Sequence, residues 1–239
     1  MLSDMTERQQ HIEEIYGLLD ELSQKVGGAK RLADCHGKMN LPARGIYFFF
    51  EPGEYRANRQ ELRIVRVGTH AVSLGSKTTL WNRLRAHRGS KAGRGNHRGS
   101  IFRLHVGRAI LNRDGDNRFP HWGQKSSASK AIRQSEDALE RRVSEYIGNM
   151  QFLWLNVDDE PSKDSHRAFI ERNTIALLAG ENGQSPVDAA SSGWLGQYSD
   201  RDKIRLSGLW NLDHIGSSDK TILYDPAFLG VLRQYLDGI

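Results

Sequence analysis

Two apolar segments set close together constrain this chain most. Residues 44–51 read Arg-Gly-Ile-Tyr-Phe-Phe-Phe-Glu, and residues 62–68 read Leu-Arg-Ile-Val-Arg-Val-Gly. Aromatic and β-branched residues favour extended backbone, and Pro52-Gly53 followed by a loop around Asn58 breaks the chain between the two. So short a separation leaves no room for a crossover, so the pair predicts an antiparallel hairpin. Residues 151–157 (QFLWLNV) predict a third strand.

Helical periodicity surrounds these strands. Ile12, Ile15, Leu18, Leu19 and Leu22 recur on one face of residues 5–24. Thr6 with Gln9 three residues later resembles a capping box, and Gly27-Gly28 ends the run. A short helix is expected over 29–35. Residues 75–88 predict a helix capped by Thr78 or Thr79, with Leu80, Leu84 and His87 on one side. The glycine-rich basic stretch 89–99 reads as a mobile loop, and 100–111 as a helix. Residues 129–150 form an amphipathic pattern on Ile132, Leu139, Val143 and Ile147. Further helices are expected over 165–179 and 226–236, with polar, turn-rich chain over 181–203. The order predicts an α+β fold: a small antiparallel three-stranded sheet flanked by helices. It divides into an N-terminal helical segment (1–40), a core (41–180) and a C-terminal extension packing on that core (181–239).

Charge is unevenly placed. Net charge is +5, yet no acidic residue stands between Glu61 and Asp114, a stretch carrying twelve Lys and Arg. The rest of the chain holds 22 basic against 29 acidic residues. A cationic segment inside an acidic protein points to a polyanion partner, since phosphate contacts release counterions. Arg85, Arg88, Lys91, Arg94 and Arg98 are the candidate nucleic-acid contacts. One cysteine, Cys35, excludes an internal disulfide and a cysteine-rich zinc site. No apolar run reaches membrane-helix length and the first ten residues lack signal-peptide character, so a cytoplasmic protein without a membrane partner is expected.

The chemistry-bearing residues fall in a recognisable order. Gly45-Ile46-Tyr47 opens the first strand, Arg66-Val67-Gly68 closes the second, and Leu80-x-x-Arg83-Leu84-x-x-His87 lies on the next helix. Ile170-Glu171-x-x-x-Ile175 lies on the helix after the third strand. Over residues 44–180 this resembles the GIY-YIG nucleases. The resemblance implies a metal-dependent endonuclease acting on DNA. It implies that Tyr47 contacts and activates the attacking water, Arg83 binds the scissile phosphate, and Glu171 holds one divalent cation, Mg²⁺ or alternatively Mn²⁺. A guanidinium suits phosphate because its fork matches the oxygens. A free phenol titrates near ~10, so a base role for Tyr47 requires nearby positive charge or metal. Arg66 stands where the family's second tyrosine would be and is a candidate cation beside Tyr47. His70 is a candidate for proton transfer. His87, four residues after Arg83, shares its helix face and joins the candidate site. Glu136, Glu140 and Glu145 are alternative metal carboxylates. Either Asn182 or Asn211 is expected to match a family asparagine beyond the glutamate.

Other motifs fail. Gly68 and Gly75-Ser76-Lys77-Thr78 have the wrong spacing for a P-loop. Asp213-His214-Ile215 lacks the downstream asparagine and histidine of an HNH site. The alternative reading is a non-catalytic nucleic-acid-binding module that retains the GIY-YIG fold. A homodimer through the N-terminal helix is the expected route by which a one-site enzyme cuts both strands.

Overall fold

The structure is a computed structural model that describes residues 5–180, 185–216 and 222–239. The first helix, α1 (Glu7–Val26), opens with the expected capping box: Thr6 and Gln9 satisfy each other's backbone N–H groups, and Gly27 closes the helix in the left-handed conformation at φ 73°. The chain then departs from expectation. In place of a helix over 29–35 stands a two-residue strand, β1 (Lys30–Arg31), followed by one 3₁₀ turn, Leu32–Asp34. Next come β2 (Gly45–Tyr55), β3 (Leu62–Gly68), α2 (Leu80–Arg88), α3 (Ile101–Asp114) and α4 (Lys130–Asn149). The chain continues with β4 (Gln151–Asn156), α5 (His166–Leu178), α6 (Asp202–Ser207) and α7 (Ala227–Asp237).

The sheet has four strands in the order β1-β4-β2-β3, and every pairing is antiparallel. The expected three strands are its core, and β1 adds the fourth by pairing with β4. A two-residue strand carries no alternation to read, which is why the sequence reading missed it.

Both faces of the sheet are covered. Ile46, Phe48, Ile64, Val67, Leu153 and Leu155 pack toward α1, α5 and α7. Tyr47, Phe49, Val65, Phe152 and Trp154 pack toward α2, α3 and α4, joined by Trp194 and Trp210 from the C-terminal segment. A strand buried on both faces reads as continuous apolar sequence, which accounts for the unbroken run of β2. The β2–β3 register slips between Phe49↔Arg66 and Phe50↔Ile64. This bulge leaves Val65 without a cross-strand partner, and both Val65 and Arg66 face the α2–α4 layer. Among the described residues no helix is long and apolar enough to cross a membrane.

Candidate active site

Tyr47 sits opposite Gly68 on β3 and Trp154 on β4. A Cβ added to Gly68 would lie 2.2 Å from the Tyr47 hydroxyl oxygen and 2.4 Å from Cζ. The tyrosine ring therefore occupies the space that a side chain at 68 would need. The Tyr of the first strand and the Gly ending the second are two halves of one packing contact. Gly45 is similarly constrained, since a Cβ there would stand 2.5 Å from the Leu155 carbonyl oxygen.

Tyr47 has no exposed surface. Its hydroxyl lies 2.9 Å from His87 Nε2, and His87 Nδ1 lies 2.8 Å from Ser100 Oγ. Ser100 also caps α3, accepting the Arg103 N–H. His87 is buried on α2, one turn beyond Arg83. Burial, and then the neighbouring charges of Arg66, Arg83 and Arg103, hold its pKa well below the usual imidazole range. His87 is therefore neutral.

Arg66 points into the same layer. Its guanidinium lies 4.7 Å from the Phe102 ring centre and donates from Nη1 to the Trp210 carbonyl. Burial lowers its pKa, opposed by the Tyr47 hydroxyl and Glu171 beside it, while Arg83 adds to the lowering. The buried Nε atoms of both Arg66 and Arg83 have no hydrogen-bond partner. Two guanidinium donors left unmet near one another are suited to an anion's oxygens.

Glu171, on α5, accepts the Thr69 N–H at 3.0 Å. Burial pushes its pKa up to about 7, against the opposing pull of that N–H, Arg66 and Arg83, while Asp213 adds to the rise. No cluster of three or more His, Cys, Asp or Glu able to hold a metal exists among the described residues. Glu171 is thus a desolvated carboxylate with at most one other carboxylate, Asp213, acting on it. That suits a magnesium-like ion, which keeps several waters and takes further oxygens from a phosphate. The competing carboxylates are committed elsewhere. Glu136 pairs with Arg98, and Glu140 receives His97 and Arg103. Glu145 is exposed on α4.

His70 stands at the foot of the loop joining β3 to α2. It is 5% exposed, and its Nδ1 lies 2.9 Å from the Thr78 carbonyl oxygen. Its Nε2 is buried without a partner. Burial first, then Arg167, Arg83 and Arg44, lower its pKa to about 4, partly offset by the Thr78 hydrogen bond. The fields of Arg66 and Arg83 reach Glu171, Arg83 also reaches His70 and His87, and these residues form one electrostatic group.

The expected basic face divides. Arg85 and Lys91 are exposed, and Arg94 is exposed with an Asp137 contact at 3.4 Å. Arg88 lies over the Trp81 ring and donates to the Cys35 carbonyl. Arg98 is a correction: its side chain is 4% exposed and ion-paired with Glu136 at 2.6 Å, inside the fold. Arg63 and Arg103 are likewise buried against Glu54 and Glu140. The acid-free stretch is therefore partly neutralised by acids from β2 and α4. The 89–99 loop is also tied down, by Ser90–Arg94 backbone bonding and by Arg141 on the Ala92 carbonyl.

Asn211 is bonded to β3. Its side chain accepts the Val67 N–H at 3.1 Å and donates to the Val67 carbonyl at 2.8 Å, extending the edge of β3. Asn182 lies outside the described residues. Ser100, Thr69 and Trp210 were not anticipated. Of these only Ser100 left a signal, as an N-cap residue before an apolar helix.

A family model described as GIY-YIG domain matches residues 6–239. No curated protein and no solved structure gives a match.

Proposed function

The chain belongs to the GIY-YIG domain family, and from that premise we propose that it is a divalent-cation-dependent endonuclease that hydrolyses phosphodiester bonds in DNA. One observation carries the reading most: Tyr47 with His87, two guanidinium groups with unmet Nε donors, and a desolvated glutamate converge from β2, β3, α2 and α5. Hydrolysis of a phosphodiester needs the phosphate neutralised, a water placed for attack and the leaving oxygen supported. Arg83, with Arg66 behind it, binds the phosphate. Tyr47, held by His87, forms the polar wall against which the attacking water is oriented. Glu171 holds the cation, whose chemistry when bound is to neutralise charge on the phosphate and support the leaving oxygen. Arg85, Lys91 and Arg94 contact the flanking backbone.

The test is nicking of supercoiled plasmid with Mg²⁺, with EDTA, and with Glu171→Ala. Cleavage only by wild type with Mg²⁺, while the variant still binds DNA, is the expected result. Salt-sensitive binding with no cleavage of plasmid, branched or single-stranded DNA would instead favour a non-catalytic DNA-binding module.

A further inference from the structure

Tyr47, His87 and Ser100 stand in line, and such a line is hydrogen-bonded in one of two directions. The Tyr47 hydroxyl lies 2.9 Å from His87 Nε2, and His87 Nδ1 lies 2.8 Å from Ser100 Oγ. His87 is neutral, so one ring nitrogen donates and the other accepts. Either Tyr47 donates to His87 and His87 to Ser100, or Ser100 donates to His87 and His87 to Tyr47.

The surroundings of the two ends decide between them. Among the described residues Ser100 Oγ meets His87 Nδ1 and the Arg103 N–H, the latter at 3.3 Å. The Arg103 N–H takes a lone pair, which leaves Nδ1 to receive the Ser100 hydrogen. Ser100 is 2% exposed, and in the opposite direction that hydrogen would be buried unmet. At the other end, the Tyr47 oxygen lies against Gly68, and the N–H of the next residue, Thr69, holds Glu171 at 3.0 Å. The open end of the line therefore falls beside the metal-holding carboxylate, where water and phosphate oxygens accept a phenol hydrogen. The charges facing His87 agree with this direction. They are Arg66, Arg83 and Arg103, the last paired with Glu140, and an imidazolium among them is disfavoured. His87 is thus a poor acceptor for the Tyr47 proton and a good donor to the Tyr47 oxygen.

We propose that Ser100 is a positioning residue: its hydroxyl donates to His87 Nδ1, which fixes the imidazole proton on Nε2 and turns that N–H onto the Tyr47 oxygen. Its consequence for catalysis rests on the nuclease reading. A hydrogen bond donated to the phenol oxygen favours the phenolate, the form in which Tyr47 can serve the attacking water. The water's O–H bond breaks and its proton passes to the Tyr47 oxygen, while the water oxygen bonds to phosphorus. The bond to the leaving deoxyribose oxygen breaks with its electron pair on that oxygen, which solvent protonates. Tyr47 then returns its proton to water. The His87 N–H keeps its proton throughout.

The experiment joins ¹⁵N shifts of the His87 ring with single-turnover cleavage of duplex DNA in Mg²⁺ across pH 5.5–9.5. Wild type, Ser100→Gly and Ser100→Thr are compared. Glycine is tolerated at an N-cap but supplies no hydroxyl, and threonine restores both the cap and the hydroxyl. Wild-type His87 should carry its proton on Nε2 throughout that range, and Ser100→Gly should mix the two tautomers. Ser100→Gly should lose on the order of 10²-fold in rate, as a misdirected catalytic group does, with DNA affinity and the Ser100→Thr rate within about threefold of wild type. The pH of half-maximal rate should rise in Ser100→Gly and stay in Ser100→Thr. A Ser100→Gly rate within about threefold of wild type, or a loss with an unmoved pH profile, would reduce Ser100 to a helix cap and overturn the proposal. A proton on His87 Nδ1 in cleaving wild type, a measurement that needs no variant, would reverse the line and leave the nuclease reading standing. A wild type that cleaves nothing, with the proton on Nε2, would remove the nuclease reading and Ser100's part in catalysis but not the direction of the bonds.

Discussion

Gly68→Ala tests the claim that the strand-ending glycine exists to admit the Tyr47 ring. The new methyl would stand 2.2 Å from the tyrosine oxygen, 2.4 Å from Cζ and 2.7 Å from Cε2, with no flexible chain end to give way. Overpacking of this kind costs about 1–3 kcal/mol. If the ring swings away, the buried Tyr47–His87 hydrogen bond is also lost, leaving a polar group unpaired at about 1–3 kcal/mol. The sum is about 2–6 kcal/mol, or roughly 4–24 °C in Tm at this chain length. Urea unfolding of wild type, Gly68→Ala, Tyr47→Ala and the double variant measures it. Tyr47→Ala empties the space, so adding Gly68→Ala there should cost much less than in wild type, giving a coupling energy of at least about 1 kcal/mol. Additive effects, or a Gly68→Ala protein within about 0.5 kcal/mol of wild type, would refute the packing argument.

Three further outcomes follow from the site. The Glu171 pKa is raised to about 7, so the folded state holds a proton that the unfolded state releases near the ordinary value of 4.5. Its contribution is complete below pH 4.5 and is lost as pH rises through 7, so Glu171→Gln should exceed wild type in stability at pH 8, by about 1–3 kcal/mol. That gap should close below pH 4.5 and shrink in Mg²⁺, and chemical denaturation at several pH values reads it. Arg98→Ala strands buried Glu136 and should cost about 3–5 kcal/mol in unfolding free energy. Arg85→Ala and Lys91→Ala should leave stability unchanged within about 0.5 kcal/mol and instead flatten the salt dependence of DNA binding, each by about one ion.

The long elements were legible because each carries its own period or cap. The α1 capping box read directly from side-chain chemistry, and of the two threonines expected to cap α2 the structure uses Thr79. The site residues were legible as an ordered pattern along the chain, but their unequal surroundings were not. Sequence spacing places Arg83 and His87 on one helix face. It does not reveal that His87 ends in the interior against Tyr47 and Ser100. Nor does an acid-free stretch reveal which arginines stay free, because the carboxylates that claim Arg63, Arg98 and Arg103 come from β2 and α4, up to about forty residues away. Long-range charge pairing has no local signature.

The same limit hid the part played by the C-terminal segment. An edge strand presents unpaired N–H and C=O groups. On β3 these are met by residues about 145 positions later: the Trp210 N–H donates to the Val65 carbonyl at 2.7 Å, and the Asn211 side chain satisfies both polar groups of Val67. Asn211 thus does with one side chain what a neighbouring strand would do with its backbone. The Trp210 carbonyl also receives Arg66, and the Trp210 and Trp194 indoles donate to buried Glu51 on β2. Removing the chain from 185 onward would therefore expose the β3 edge, release Arg66 and leave Glu51 with only its Tyr146 donor. Asn211→Leu keeps the bulk but breaks both bonds to Val67, costing about 2–6 kcal/mol for two buried backbone groups left unmet. Amide exchange at Val67 should accelerate in that variant before global unfolding does. Protection at Val67 equal to wild type would show that the strand edge is closed without it.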